Sequence, residues 1–259
     1  MTRAGAGAGK KKCRLDSLLV ERGLAENRTR AQALIMAGLV FSDSNRLDKP
    51  GLQVAPDVSI TLKGQDHPWV SRGGIKLAHA LDYFAITPEG KTCLDVGAST
   101  GGFTDVLLHH GARKVYAVDV GHGQLAWRLR EDPRVVVLEK TNVRQIGPET
   151  IPDRIDFIVS DVSFIGLMTA LPAALALAAP DARLVALIKP QFEVGKGQVG
   201  KGGVVRDPVL HDEVCLRIRR WLEESMGWSV LGIVESPITG PKGNKEFLIA
   251  AVLLNRPAA

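Results

Sequence analysis

Cysteine is scarce: Cys13, Cys93 and Cys215 are odd in number and widely spaced among 259 residues. They support neither a disulfide framework nor a metal-ligand set, and such usage fits a reducing cytoplasm. Long apolar runs are missing too. The longest candidate, residues 168–179, contains Pro172 and falls well short of the roughly 18 residues that a membrane span needs. Residues 1–12 hold Gly, Ala, Lys10, Lys11 and Lys12 without an apolar stretch. They read as a disordered basic tail and exclude a secretory signal. What remains is 45% hydrophobic, enough for one large domain or two smaller ones.

An acidic excess is also absent, and the positive excess is local. The net charge is +5; residues 1–72 hold 12 Lys or Arg against 7 Asp or Glu, and the remainder holds 21 of each. A basic N-terminal module before a neutral body points to a polyanionic partner, although a solvated charged face has the same composition. Within residues 13–64, Leu15, Leu18 and Leu19, then Ala31, Leu34 and Ile35, recur at helical spacing. Gly23 and Gly38 are placed to end two helices, and Asn27 or Thr29 to open the second. Residues 39–41 and 58–62 read as short strands. Arg14, Arg28 and Arg30 give this αα-β unit a basic side. Residues 65–72, with Pro68, read as a linker.

The rest of the chain is organised around residues 94–103, Leu-Asp-Val-Gly-Ala-Ser-Thr-Gly-Gly-Phe. An apolar run gives way to small residues and then to a helical pattern, which is a strand, a tight turn and a helix start. Gly97, Gly101 and Gly102 would let a ligand approach backbone, with the helix amides facing it. A second strand, residues 114–120, carries Asp119 at its end, 22 residues after Gly97. That is where nucleotide-binding α/β folds place a ribose-binding carboxylate.

Three chemistries use such a turn. Dinucleotide sites need a glycine where Ser99 stands. Gly-Ala-Ser-Thr-Gly also fits a hydrolase nucleophile elbow, for which only His122 and His211 are usable downstream histidines. Asp95-x-Gly97-x-x-x-Gly101 followed by Asp119 fits S-adenosylmethionine best.

Further along, residues 75–84 read as a helix carrying Lys76, residues 124–130 as a helix, and residues 135–138 as a buried parallel strand followed by Asn142, near the adenine end of such a cofactor. Residues 155–159 and 182–188 are strands that deliver Asp161 and Lys189 to the ligand-binding rim of an open α/β sheet. Residues 165–179 read as one Ala/Leu helix and 211–225 as an amphipathic helix. Residues 228–234 and 246–254 read as the last strands, with Glu246 opening the final one. Residues 195–201 look like a phosphate-binding loop, but Gly202 stands where Ser or Thr must hold magnesium. A flexible loop carrying Lys196 and Lys201 is better suited to RNA phosphates.

Two resemblances sharpen this reading. The pattern from Arg14 to Val40 resembles the small RNA-binding domain of a ribosomal small-subunit protein, which implies structured-RNA binding through the Arg28 and Arg30 face. Residues 71–259 resemble the FtsJ-like ribose 2′-O-methyltransferases through Ser-Arg-Gly-Gly-Ile-Lys76, Ser-Asp161-Val, Leu-Ile-Lys189-Pro and Asn-Lys-Glu246-Phe. Together they resemble the TlyA family. The resemblance implies a Rossmann-like, seven-strand class I methyltransferase sheet over residues 73–259, its last strand antiparallel, preceded by the small α+β RNA-binding domain. It implies a catalytic tetrad of Lys76, Asp161, Lys189 and Glu246, with Lys189 as candidate base. S-adenosylmethionine would lie against Asp95, Gly97, Ala98, Ser99, Gly101, Gly102, Phe103, Asp119, Asn142 and Asp161. No metal is implied. The expected partners are ribosomal RNA and ribosomal subunits, in the cytoplasm, and cytidines are the implied targets. The competing readings are a non-catalytic RNA-binding assembly factor and, from one family name, a membrane-active hemolysin.

Overall fold

The computed structural model describes residues 12–25, 27–43, 45–62 and 67–254. Residues 1–11 of the expected tail and 63–66 around the expected linker lie outside them. The chain divides into two compact units between Pro68 and Trp69. The linker therefore does not extend to residue 72: Trp69 is buried within the second unit, where it packs beneath Gly74 and edge-on to His109.

In the first unit, strand β1 (Cys13–Arg14) leads into helix α1 (Leu15–Glu21), and α2 (Arg28–Met36) follows. Asn27 caps α2 by accepting from the Arg30 amide at 2.9 Å. Gly23 and Gly38 take the positive φ that ends each helix. The two helices bury Leu15, Leu18, Leu19, Ala31, Leu34 and Ile35 against each other. Strands β2 (Val40–Ser42), β3 (Asn45–Arg46), β4 (Gln53–Val54) and β5 (Thr61–Leu62) complete the unit. β1 pairs β4, and β2 lies between β3 and β5. The expected strand over 58–62 shrinks to two residues, and three two-residue strands were not foreseen, because such short strands carry no alternation signal.

In the second unit helix α3 (Gly73–Tyr83) precedes β6 (Thr92–Val96), α4 (Gly102–His109), β7 (Lys114–Val118), the single turn α5 (Trp127–Arg130) and β8 (Val135–Leu138). After β9 (Ile155–Ser160) come α6 (Leu167–Ala170), α7 (Pro172–Leu175), β10 (Ala178–Ile188), α8 (Pro190–Glu193), α9 (Pro208–Arg220), β11 (Ser229–Glu235) and β12 (Phe247–Val252). The strands form one sheet in the order β11-β12-β10-β9-β6-β7-β8. Only β12 runs against its neighbours. Successive residues of the central strands feed opposite cores: Leu94, Val96 and Ile158 enter one, Cys93, Phe157 and Val159 the other. That two-sided burial is why these strands read as continuous apolar runs.

Several boundaries move. The helix expected over 165–179 is instead α6, α7 and the start of β10. Pro172 lacks an amide for α6 to continue through and is suited to the first position of α7. Residues 124–126 are not helical; a turn through Gly123, with φ 67°, precedes α5. β7 stops at Val118, α3 opens at Gly73 and α9 at Pro208. Among the described residues no helix is long and apolar enough to cross a membrane.

Candidate active site

The four charged positions singled out above arrive at one rim for topological reasons. Asp161 and Lys189 directly follow the parallel strands β9 and β10. Because β12 is antiparallel to β10, with Phe247 opposite Ile188, Glu246 stands at the same edge as Lys189. Lys76 reaches in from the first turns of α3. Lys76 Nζ donates to Glu246 Oε2 at 2.6 Å and lies 3.8 Å from Asp161 Oδ2. Lys189 Nζ lies 2.5 Å from Asp161 Oδ1, an ion pair, and donates to Ser163 Oγ at 2.8 Å. Lys76, Lys189 and Glu246 are all buried. Two cations and two carboxylates thus alternate, Glu246–Lys76–Asp161–Lys189, so no charge is left alone in a poorly hydrated place. Glu246 Oε1 has no hydrogen-bond partner among the described residues, and Gly240 clears its space: a Cβ there would fall 2.0 Å away.

This chain of charges lines a cavity of about 860 Å³ together with Gly97, Ala98, Ser99, Thr100, Gly102 and Phe103. The turn between β6 and α4 is built by its own amides. Gly97 and Ala98 donate to Val118 O, Gly101 donates to Ala98 O, and the Ser99 amide donates to Asp119 Oδ2 at 2.8 Å. Tight reversal of the chain uses these four amides; the helix terminus expected to face a ligand begins at Gly102, which lines the cavity with Phe103. Gly97 has φ 86°, and a Cβ would lie 3.0 Å from the Asp161 carbonyl, so the turn and the Asp161 strand end meet backbone to backbone. Ser99 also takes a left-handed φ, 49°.

The remaining expected cofactor residues do not line the cavity. Asp95 is fully buried beneath the turn and accepts the Thr104 hydroxyl at 2.7 Å. Burial, with help from Asp161 and Asp119, pushes its carboxyl up to about 7. Gly101 packs against Leu129 and Leu125. Asp119 holds the turn through Ser99 and accepts from the Gly121 amide at 2.6 Å. Asn142 caps a short helical turn by accepting from the Arg144 amide.

The expected RNA-binding residues are not gathered in one unit. In the first, Arg14 and Arg28 share the buried carboxylate of Asp16, which also accepts from Gln32. The Arg14 hydrogen bonds contribute most to holding that carboxyl well below the usual carboxylate range. Arg30 lies in the first turn of α2. In the second, Lys201 is exposed in a turn closed by a Gly200–Val204 bridge, and Lys196 lies in a short helical turn whose side chain is not described.

Among the cavity residues missed are Ser163, Phe164 and Asn244. Ser163 is the second partner of Lys189. Phe164 is 91% exposed with φ 66°, its ring 5.2 Å from that of Phe192. An aromatic placed just after a strand end on the ligand rim was the available signal. Asn244 donates to Gly203 O and accepts from the Val205 amide, pinning the glycine-rich segment to the loop before β12.

The family model described as FtsJ-like methyltransferase matches residues 69–253, and the S4 domain model matches residues 13–60. A Mycobacterium tuberculosis protein named 16S/23S rRNA (cytidine-2′-O)-methyltransferase TlyA is 52% identical over 240 residues, 92% of this chain and 89% of its own. The chain belongs to the TlyA family of FtsJ-like methyltransferases. Hemolysin A of Brachyspira hyodysenteriae is 42% identical, over 91% of this chain and 98% of its own. A solved structure from Streptococcus thermophilus, carrying a provisional hemolysin name, is 42% identical with a TM-score of 0.74, covering 95% of this chain and 90% of that one. S-adenosylmethionine is the cofactor of this methyltransferase family.

Proposed function

We propose that this protein methylates ribose 2′-hydroxyls of ribosomal RNA, taking cytidines within ribosomal subunits as substrate. The observation that carries the reading is the alternating chain Glu246–Lys76–Asp161–Lys189 lining one cavity with the glycine turn. The residues present fit S-adenosylmethionine. Gly97, Ala98, Ser99 and Gly102 give the cavity a wall of small residues, with Phe103 and the Asp161 carboxylate beside them for apolar and charged contacts. When bound, the cofactor supplies an electrophilic methyl group on sulfonium sulfur.

A 2′-hydroxyl is a weak nucleophile until its proton leaves. Lys189, in its neutral amine form, would take that proton as the oxygen–carbon bond forms and the carbon–sulfur bond breaks, leaving a thioether. Asp161 orients Lys189, while Glu246 and Lys76 fix Asp161 from the other side; their contribution is chiefly positioning. The exposed ring of Phe164, braced by Phe192, offers a stacking surface for an unstacked base at the cavity mouth. The basic first unit, with Arg14, Arg28 and Arg30, and the loop with Lys196 and Lys201 contribute phosphate contacts. Substrate of this kind places the protein with ribosomes in the cytoplasm.

Primer extension at low deoxynucleotide concentration tests the substrate. Ribosomal RNA treated with protein and cofactor is expected to gain stops beside cytidines. Stops at other bases, or none despite incorporated methyl label, would contradict the 2′-O-cytidine reading.

A further inference from the structure

The tetrad leaves one contact of its proposed base unexplained. Lys189 Nζ has two partners: Asp161 Oδ1 at 2.5 Å and Ser163 Oγ at 2.8 Å. Both follow β9 and both line the cavity with Lys189. A primary amine has three positions around nitrogen besides its carbon. The ion pair with Asp161 holds Nζ at this rim, and the hydrogen bond to Ser163 sets the direction of one of its N–H groups.

The two acceptors differ in chemistry. A carboxylate accepts and also favours the charged ammonium. A hydroxyl accepts an N–H from either the amine or the ammonium and adds no negative charge. Two carboxylates would aim Nζ equally well while resisting the neutral form that a base needs. One carboxylate and one hydroxyl aim it with less resistance.

We infer that Ser163 is a positioning residue of the methyl-transfer reaction, holding Lys189 Nζ toward the 2′-oxygen as its neutral acceptor. This rests on the base assigned to Lys189 above. Ser163 is exposed at the cavity rim, so replacing it leaves the core intact.

The test is steady-state methylation of purified ribosomal subunits by the full chain, comparing wild type, Ser163→Ala, Ser163→Thr and Lys189→Ala. Ser163→Ala is expected to lower kcat roughly 10- to 100-fold, with KM for S-adenosylmethionine and for subunits held within about twofold, as expected for loss of orientation alone. Ser163→Thr, which keeps the hydroxyl, should recover most of the rate. An unchanged kcat in Ser163→Ala would overturn the inference. So would a raised KM for subunits alone, which would make Ser163 a substrate contact, or a failure of Ser163→Thr to recover. Lys189→Ala separates the two levels. Activity there removes the base assignment and this inference with it, whereas an inactive Lys189→Ala beside a fully active Ser163→Ala removes only the role of Ser163. Absence of methylation by wild type would overturn both.

Discussion

Buried carboxylates survive here because each has a different local answer to its charge. Glu246 is answered by one lysine, Asp95 by a hydroxyl and a displaced titration, and Asp16 by two arginines and an amide. Asp16 also ties α1 to Arg28 and Gln32 of α2, so its ionisation is coupled to packing of the first unit. Its folded carboxyl sits below the ordinary value, so the ionised form is what stabilises the fold. The stabilisation is fully present above the unfolded value, near pH 4, and is lost as pH falls from there toward the folded value. Replacing Asp16 with Asn is expected to destabilise this unit by about 1.5–3 kcal/mol at pH 7. The deficit should shrink on acidification. Urea unfolding at pH 7 and pH 3 checks this, and an equal deficit at both would refute it.

At the scale of elements, the β6–α4 turn is the joint between cofactor chemistry and sheet packing. Gly97 combines a left-handed φ with backbone contact to Asp161. Gly97→Ala is expected to cost about 1–2 kcal/mol for the conformation alone. It should also push the turn from the β9 end, weakening S-adenosylmethionine binding measured by calorimetry. Wild-type affinity in that variant would show that the turn does not need the close approach. The same turn was legible because small residues sit between an apolar strand run and a helical period, and the parallel strands were legible because both their faces are apolar. Lys76, Asp161, Lys189 and Glu246 could be placed at element ends, and the antiparallel last strand joins them. Ser163 could not, since nothing local distinguishes a hydroxyl facing a distant lysine from a loop serine. The helix over 165–179 failed because Ala and Leu suit helix and buried strand alike, leaving Pro172 as the one break. The three two-residue strands are held by pairing across the fold, which no local pattern reports.

At the scale of the whole molecule, charge is divided along the chain: the positive excess belongs to residues 1–72 and the remainder balances. If that excess engages RNA phosphates, binding to ribosomal subunits releases counterions. Affinity is expected to fall at least tenfold between 50 and 200 mM salt, while affinity for S-adenosylmethionine changes little. Parallel titrations of both ligands test this, and a subunit affinity indifferent to salt would contradict it.

We propose that the charged chain ending at Lys189 performs methyl transfer to ribosomal RNA. The most direct measurement is tritiated methyl transfer from S-adenosylmethionine to purified 30S and 50S subunits, comparing wild type with Lys189→Ala alongside cofactor binding. Label in ribosomal RNA is expected from wild type and none from Lys189→Ala, with cofactor affinity equal in both. Label retained in Lys189→Ala, or no label from a wild type that binds cofactor, would contradict it.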